Sequence, residues 1–357
     1  MPDVKVHNFT SLQLLRGIAA VLVVFYHGTD YQGFLSIFQF GYSGVDLFFV
    51  LSGFIIFYKH YSDFGKKDKL IPYIQKRLLR IYPLYFVVTM IYLVVVLPFS
   101  DFSIEYIIKS FLLLPQEKDP ILGVAWSLQN ELLFYFIFSL FILNKKIIFP
   151  LFISWVFFII IFNVLFNEVL DIPLIRLMLS SMNIEFLLGC LIAYLVVNNK
   201  FQNLRWITTF GITTLVLLMV LDLLDIWNLH RVIFWGIPCS IIIFGVVRLE
   251  INNSLNIKIP KICIVLGDAS YSIYLTHLIT LIVMPFIIKR IDFINDINNG
   301  TIELITCIIA IFVGCIFYFI VEKPQMIYLR KKFIKQKTND ARVIRVFKNE
   351  VNNETDR

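Results

Sequence analysis

Arg16 and His27 bracket an almost purely apolar run that begins at Leu14 and ends at Phe25-Tyr26-His27. At 3.6 residues per turn their spacing is about three turns, so a helix brings both side chains onto one face, roughly 16 Å apart along its axis. A charged side chain placed in lipid costs on the order of 2.5 to 3.5 kcal/mol, so such groups usually face a cavity and act there. An imidazole suits general-base chemistry near neutral pH, and a guanidinium suits the orientation or charge stabilisation of an anion. A plainer reading stays open, in which Arg16 snorkels to the headgroups and His27 sits at the far interface.

Further polar groups interrupt apolar surroundings at Asp46 and Ser52, at Glu131 within Trp126-Ser-Leu-Gln-Asn-Glu131, at Glu185, and at Tyr274 and His277 within Tyr271-Ser-Ile-Tyr274-Leu-Thr-His277. Asp46 opens the second apolar run, close in sequence to the end of the first, and pairing with His27 is one expectation. That contact would hold the imidazole tautomer, or would simply tie two helices together. Glu131 is a candidate for orienting a hydroxyl or an arginine, and equally for a hydrogen-bond anchor. Lys76, Arg77 and Arg80 form a tight basic run at the mouth of the third span, with Arg77 and Arg80 on one helix face. A nucleotide phosphate would bind there, as would lipid headgroups.

These groups need long helices to position them. Hydrophobic residues make up 59% of the 357 positions and aromatic ones 16%, in apolar runs near 20 residues, which marks an all-α polytopic membrane protein. The runs read as about ten transmembrane helices, near 11–27, 44–58, 81–98, 125–143, 147–166, 177–197, 206–224, 232–247, 268–288 and 304–321. With that alternation, 26 of the 32 lysines and arginines fall on the side that holds the N-terminus. The positive-inside rule then makes both termini cytoplasmic. The net charge of +7 is explained by orientation and implies no nucleic-acid partner.

Residues 1–10 read as a cytoplasmic N-terminus that is not a cleaved signal peptide, 11–324 as the membrane domain, and 325–357 as a basic cytoplasmic tail. The tail's alternation of basic and apolar residues suits the anionic inner leaflet. The short apolar stretch 104–114 reads as an interfacial or re-entrant helix. The glycines at 41, 44 and 53 permit close helix packing. The five cysteines, Cys190, Cys239, Cys263, Cys307 and Cys315, lie in or beside apolar spans without metal-ligand spacing, so neither a disulfide framework nor a metal site is expected.

Taken in order, Arg16-x10-His27, Gly44-Val-Asp46-Leu-Phe-Phe-Val-Leu-Ser52-Gly53-Phe54, Arg77-x-x-Arg80-Ile-Tyr-Pro83, Trp126-Ser-Leu-x-x-Glu131, Ser270-Tyr-Ser-Ile-Tyr274-Leu-x-His277 and Val321-Glu322-Lys-Pro324 resemble the motifs of the membrane-bound acyltransferase 3 family. These are the ten-span bacterial O-acyltransferases of surface sugars. The resemblance covers residues 11 to 324 and rests on the joint order of the motifs. It implies transfer of an acyl group, usually acetyl, from acetyl-CoA to a sugar hydroxyl of an O-antigen, exopolysaccharide or capsule unit, with the acceptor possible on a lipid carrier. It implies a multi-pass protein of a bacterial cytoplasmic (inner) membrane, in the form without a C-terminal hydrolase-like domain.

On this reading His27 is the general base and Arg16 orients the donor, with Asp46 and Glu131 as further catalytic candidates. Ser52, Tyr274 and His277 are candidates for substrate binding and for stabilising the oxyanion. Arg77, Arg80 and Lys76 are candidates for the CoA phosphates. The expected partners are the CoA thioester, the carbohydrate acceptor and membrane lipids, and homo-oligomerisation is left open. The competing class is a multi-span transporter or flippase, although no related halves are visible.

Overall fold

The computed structural model describes residues 9–29, 34–165, 171–200, 206–224, 230–252, 259–288, 290, 298–329 and 331–332. The helices are α1 (Thr10–Gly28), α2 (Ser43–His60), α3 (Leu70–Val96), α4 (Ile104–Phe111), α5 (Trp126–Leu165), α6 (Pro173–Met178), α7 (Met182–Val197), α8 (Ile207–Leu223), α9 (Ile237–Ile251), α10 (Lys261–Asp268), α11 (Ser270–Ile288) and α12 (Asn299–Phe317). Among the described residues there is no strand. The protein is thus an all-α polytopic membrane protein, with eight helices long and apolar enough to cross a bilayer. One of the eight, α5, breaks at Asn144, whose backbone (φ −157°, ψ 91°) is not helical. The Asn144 side chain accepts a hydrogen bond from Lys146 N at 3.2 Å and so caps the second half. Counting both halves, together with the shorter apolar α8, recovers the ten segments read from the sequence.

Two boundaries differ in ways that matter. The stretch expected as loop up to residue 80 is helical from Leu70, so Lys76, Arg77 and Arg80 project from the body of α3. The 104–114 stretch is an eight-residue helix whose N-cap Ser103 accepts from Tyr106 N. Its Ile104, Ile108 and the following Leu112 recur every four residues and form an apolar stripe exposed among the described residues. Most of the basic tail and residues 1–8 lie outside the described residues.

The centre of the bundle is the α2–α7 pair. A Cβ on Gly53 would stand 2.0 Å from Phe186 O, and one on Gly189 would stand 2.1 Å from Val50 O. The two backbones therefore meet at glycine on both sides, which lets Phe49, Phe54 and Phe186 close over the contact. We expect Gly189→Ala to lower the stability of the detergent-solubilised protein by about 1–3 kcal/mol, since backbone cannot yield as a side chain can. A thermal melt unchanged from the parent would show that α2 and α7 are not so close.

α1 is anchored at its start by a distant carboxylate. Glu250 at the end of α9 accepts from Thr10 N at 2.8 Å and Ser11 N at 3.0 Å, and from both hydroxyls. It satisfies the free amides of the first turn that no local side chain caps. This fixes the helix that carries Arg16 and His27.

Candidate active site

The first turns of α1, the middle of α2 and the basic end of α3 converge with α5 and α11 on one open cavity of about 100 Å³. Arg16, Arg77 and Arg80 reach it from α1 and α3, Ser52 from α2, Ser127, Glu131 and Tyr135 from α5, and Tyr271 and Tyr274 from α11. Six of the residues singled out in the sequence thus meet in one place: Arg16, Ser52, Arg77, Arg80, Glu131 and Tyr274. Arg77 and Arg80 can do so together because three residues along a helix leave them on one face.

Three guanidiniums surround this space, and none makes an ion pair among the described residues. Arg16 has only Gln13 Oε1, at 3.4 Å. The Arg77 Nε is buried without a hydrogen-bond partner, while its guanidinium lies 5.5 Å from the ring centres of both Tyr73 and Tyr135. Glu131 supplies a negative charge within the cavity, but it accepts from Ser52 Oγ at 3.0 Å and from the Tyr135 hydroxyl. The arginines are left with donors to spare, facing a largely apolar wall. Such a site is complementary to a polyanion.

Two hydroxyls stand at the inner wall. The Tyr274 hydroxyl donates to Val124 O at 2.8 Å and lies 2.7 Å from Ser127 Oγ. The Tyr271 hydroxyl donates to Ile81 O at 2.8 Å, locking α11 against α3 below the arginines. Ser272 Oγ donates to Glu322 Oε2 at 2.5 Å, which joins the last span to the same corner.

His27 and His277 do not line this cavity. They meet each other, 250 residues apart in sequence, with His277 Nε2 at 3.3 Å from His27 Nδ1 and ring centres 5.1 Å apart. His27 Nδ1 is 3.0 Å from Val23 O, and His277 Nδ1 is 3.3 Å from Ile273 O. A carbonyl oxygen only accepts, so each Nδ1 carries its proton. The His27 proton is shared between Val23 O and the bare His277 Nε2, and His27 Nε2 is left as the basic nitrogen. His277 is fully buried whereas His27 is exposed, so this nitrogen belongs to the open member of the pair. Tyr274 connects the two regions, since its ring lies 6.0 Å from that of His277 and its other side faces the cavity.

Two sequence expectations are corrected here. Asp46 does not pair with His27: it is fully buried and binds Arg231 through both oxygens, Oδ1 to Nε and Oδ2 to Nη2, each at 2.8 Å. From the first turn of α2 it reaches the residue just before the π turn that leads into α9. Lys76 does not join Arg77 and Arg80 at the cavity: it lies one helical turn before Arg80, but it is exposed and is not among the residues that line the space. Arg231, the partner of Asp46, is not singled out by the sequence reading. Tyr135 and Ser127 were also missed, although both stand at helical spacing from Glu131 on the cavity face.

The fold and this constellation define a membrane acyltransferase, and the chain belongs to the acyltransferase 3 family, whose acyltransferase domain matches residues 9–320. It is similar to ORF330 of Acidianus two-tailed virus, named as an acetyltransferase, with 29% identity over 74% of this chain and 81% of that protein. It is also similar to the exopolysaccharide production protein ExoZ of Rhizobium meliloti (strain 1021), with 27% identity over 67% of this chain and 76% of that protein. No solved structure matches the chain.

Proposed function

We propose that this acyltransferase moves an acetyl group from acetyl-CoA to a sugar hydroxyl of a surface polysaccharide or its lipid-linked precursor, in the cytoplasmic membrane of a bacterium. The observation that carries this reading is the set of three unpaired arginines around one cavity at the basic end of the bundle. That end faces the cytoplasm under the positive-inside rule, where CoA thioesters are made. Arg77 and Arg80 hold the nucleotide phosphates, and Arg16 lies along the path of the arm. The pantetheine then runs toward Tyr274, carrying the thioester in the direction of the histidine pair.

At the opposite end His27 Nε2 accepts the proton of a sugar hydroxyl as its oxygen attacks the thioester carbon. The carbon–sulfur bond breaks, and the CoA thiolate leaves toward the basic cavity and takes up a proton. The Tyr274 and Ser127 hydroxyls, which now donate to Val124 O, would have to turn from that carbonyl to serve the oxyanion that forms on the way. The name of ExoZ supports a polysaccharide acceptor, and that of ORF330 supports an acetyl group.

Equilibrium dialysis of labelled acetyl-CoA against the solubilised enzyme tests the donor site. Arg77→Gln and Arg80→Gln are each expected to weaken binding about tenfold or more, the scale of a hydrogen bond to a charged group. Retention of parental affinity in both, or no binding to the parent, would overturn the assignment.

A further inference from the structure

A second polar constellation occupies the end of the bundle away from the arginine cavity, where the end of α1, the starts of α2 and α7, the end of α8 and the start of α9 come together. The Tyr42 ring is its centre. It lies 5.6 Å from Trp235 and 5.7 Å from Tyr26, and Tyr26 in turn lies 4.9 Å from His27. The Trp235 Nε1–H donates to the Tyr42 hydroxyl at 2.8 Å, and that hydroxyl stands 3.5 Å from both carboxylate oxygens of Asp222. The Arg231 guanidinium sits 5.1 Å from the centre of the same ring.

Asp46 takes the Nε and one amino group of Arg231, and the second contact of that amino group, to Tyr42 O, is long at 3.5 Å. The other amino group, Nη1, has no hydrogen-bond partner among the described residues. Behind it Glu185 is fully buried beside Asp46, so the two carboxyl groups share the neighbourhood of one guanidinium. Glu185 lies against Gly236, where a Cβ would stand 3.1 Å from its Cγ, in a π-helical turn running Val232–Gly236 directly after Arg231. The Nη1 group of Arg231 is thus the donor of the cluster left over for a ligand. Asp46 and Trp235 are buried, whereas Tyr42, Asp222 and Arg231 all remain partly exposed.

We propose that Tyr42, Asp222 and Arg231 bind the acceptor sugar and present its hydroxyl to His27. A sugar ring offers apolar C–H faces bounded by a rim of hydroxyls, each both donor and acceptor. An aromatic face satisfies the first, while a carboxylate accepts from one hydroxyl and a guanidinium donates to its neighbour. Tyr42 is the platform, Asp222 the acceptor and Arg231 Nη1 the donor. Asp46 and Trp235 are positioning residues: one aims the guanidinium and the other sets the Tyr42 hydroxyl. The rings of Tyr42, Tyr26 and His27 follow one another in contact, so a sugar seated at Tyr42 lies two ring contacts from the base.

This inference rests on the transferase reading, and the test separates the two. Membranes containing the enzyme are supplied with labelled acetyl-CoA and with increasing amounts of polysaccharide extracted from the host and de-acetylated with mild base. Asp222→Asn, which keeps the shape of the side chain, and Tyr42→Ala are each expected to raise the acceptor KM about tenfold or more while leaving the acetyl-CoA KM unchanged. Arg77→Gln should do the reverse. An unaltered acceptor KM in Asp222→Asn would overturn the acceptor site and leave the transferase reading standing, and this variant decides the matter if Tyr42→Ala does not fold. Absence of label in the polysaccharide with the parent enzyme would remove both.

Discussion

His27→Ala should abolish acetyl transfer, lowering the rate by a factor of about 10² to 10⁴, the range that a positioned general base contributes. A sugar hydroxyl is a poor nucleophile until its proton leaves, and His27 Nε2 is the one imidazole nitrogen of the pair left without a proton in an exposed position. The measurement is proton NMR of the surface polysaccharide from cells carrying parent or variant at matched protein level, before and after mild base. A base-labile acetyl methyl signal should be present with the parent and absent with His27→Ala. Equal signals from both would remove His27 from the chemistry and bring the transporter class forward.

The same geometry grades His277. Val23 O already holds the His27 Nδ1 proton at 3.0 Å, and His277 Nε2 adds a second, longer acceptor at 3.3 Å. His277→Gln should therefore slow transfer by roughly tenfold, the worth of one hydrogen bond, and not to the level of His27→Ala. The rate in the parent should fall as the medium is acidified, because a protonated imidazole cannot accept the hydroxyl proton. His277 is then a positioning residue, acting on substrate only through His27.

Much of this arrangement can be read from the chain because membrane helices impose simple rules. An apolar run near 20 residues long crosses the bilayer, and a polar residue within it must face the bundle, so Arg16, Ser52, Glu131 and Tyr274 point to a shared interior before any contact is known. Arg77 and Arg80 follow from their three-residue spacing. Partners between helices are another matter, since nothing in the sequence ranks one carboxylate–cation pairing above another. Asp46 and Arg231 are 185 residues apart, and His27 and His277 are 250 apart. The proximity of Asp46 to His27 in sequence suggested the wrong pair. The true one depends on how α2 packs against the segment that carries Arg231, where the π turn Val232–Gly236 leads into α9.

The Asp46–Arg231 pair carries the second large effect. Asp46 is inaccessible to solvent, and Arg231 retains 30% exposure. Removing the carboxylate in Asp46→Ala strands a guanidinium in the bundle, and breaking a buried pair in this way costs about 3–5 kcal/mol, toward the lower end here because Arg231 still reaches solvent. The thermal midpoint of the solubilised protein should drop accordingly. Replacing both members, Asp46→Leu with Arg231→Met, removes the unpaired charge and should recover most of the loss, as apolar substitutes for buried ion pairs commonly do. Had Asp46 served to orient His27, Asp46→Ala would lower turnover with little change in the melt. The double variant separates stability from recognition as well. It should be folded and should bind acetyl-CoA, yet it lacks the Arg231 donor and should still transfer poorly to the polysaccharide. Recovery of transfer along with stability would mean that the pair only holds α2 to α9, and that the sugar is bound elsewhere.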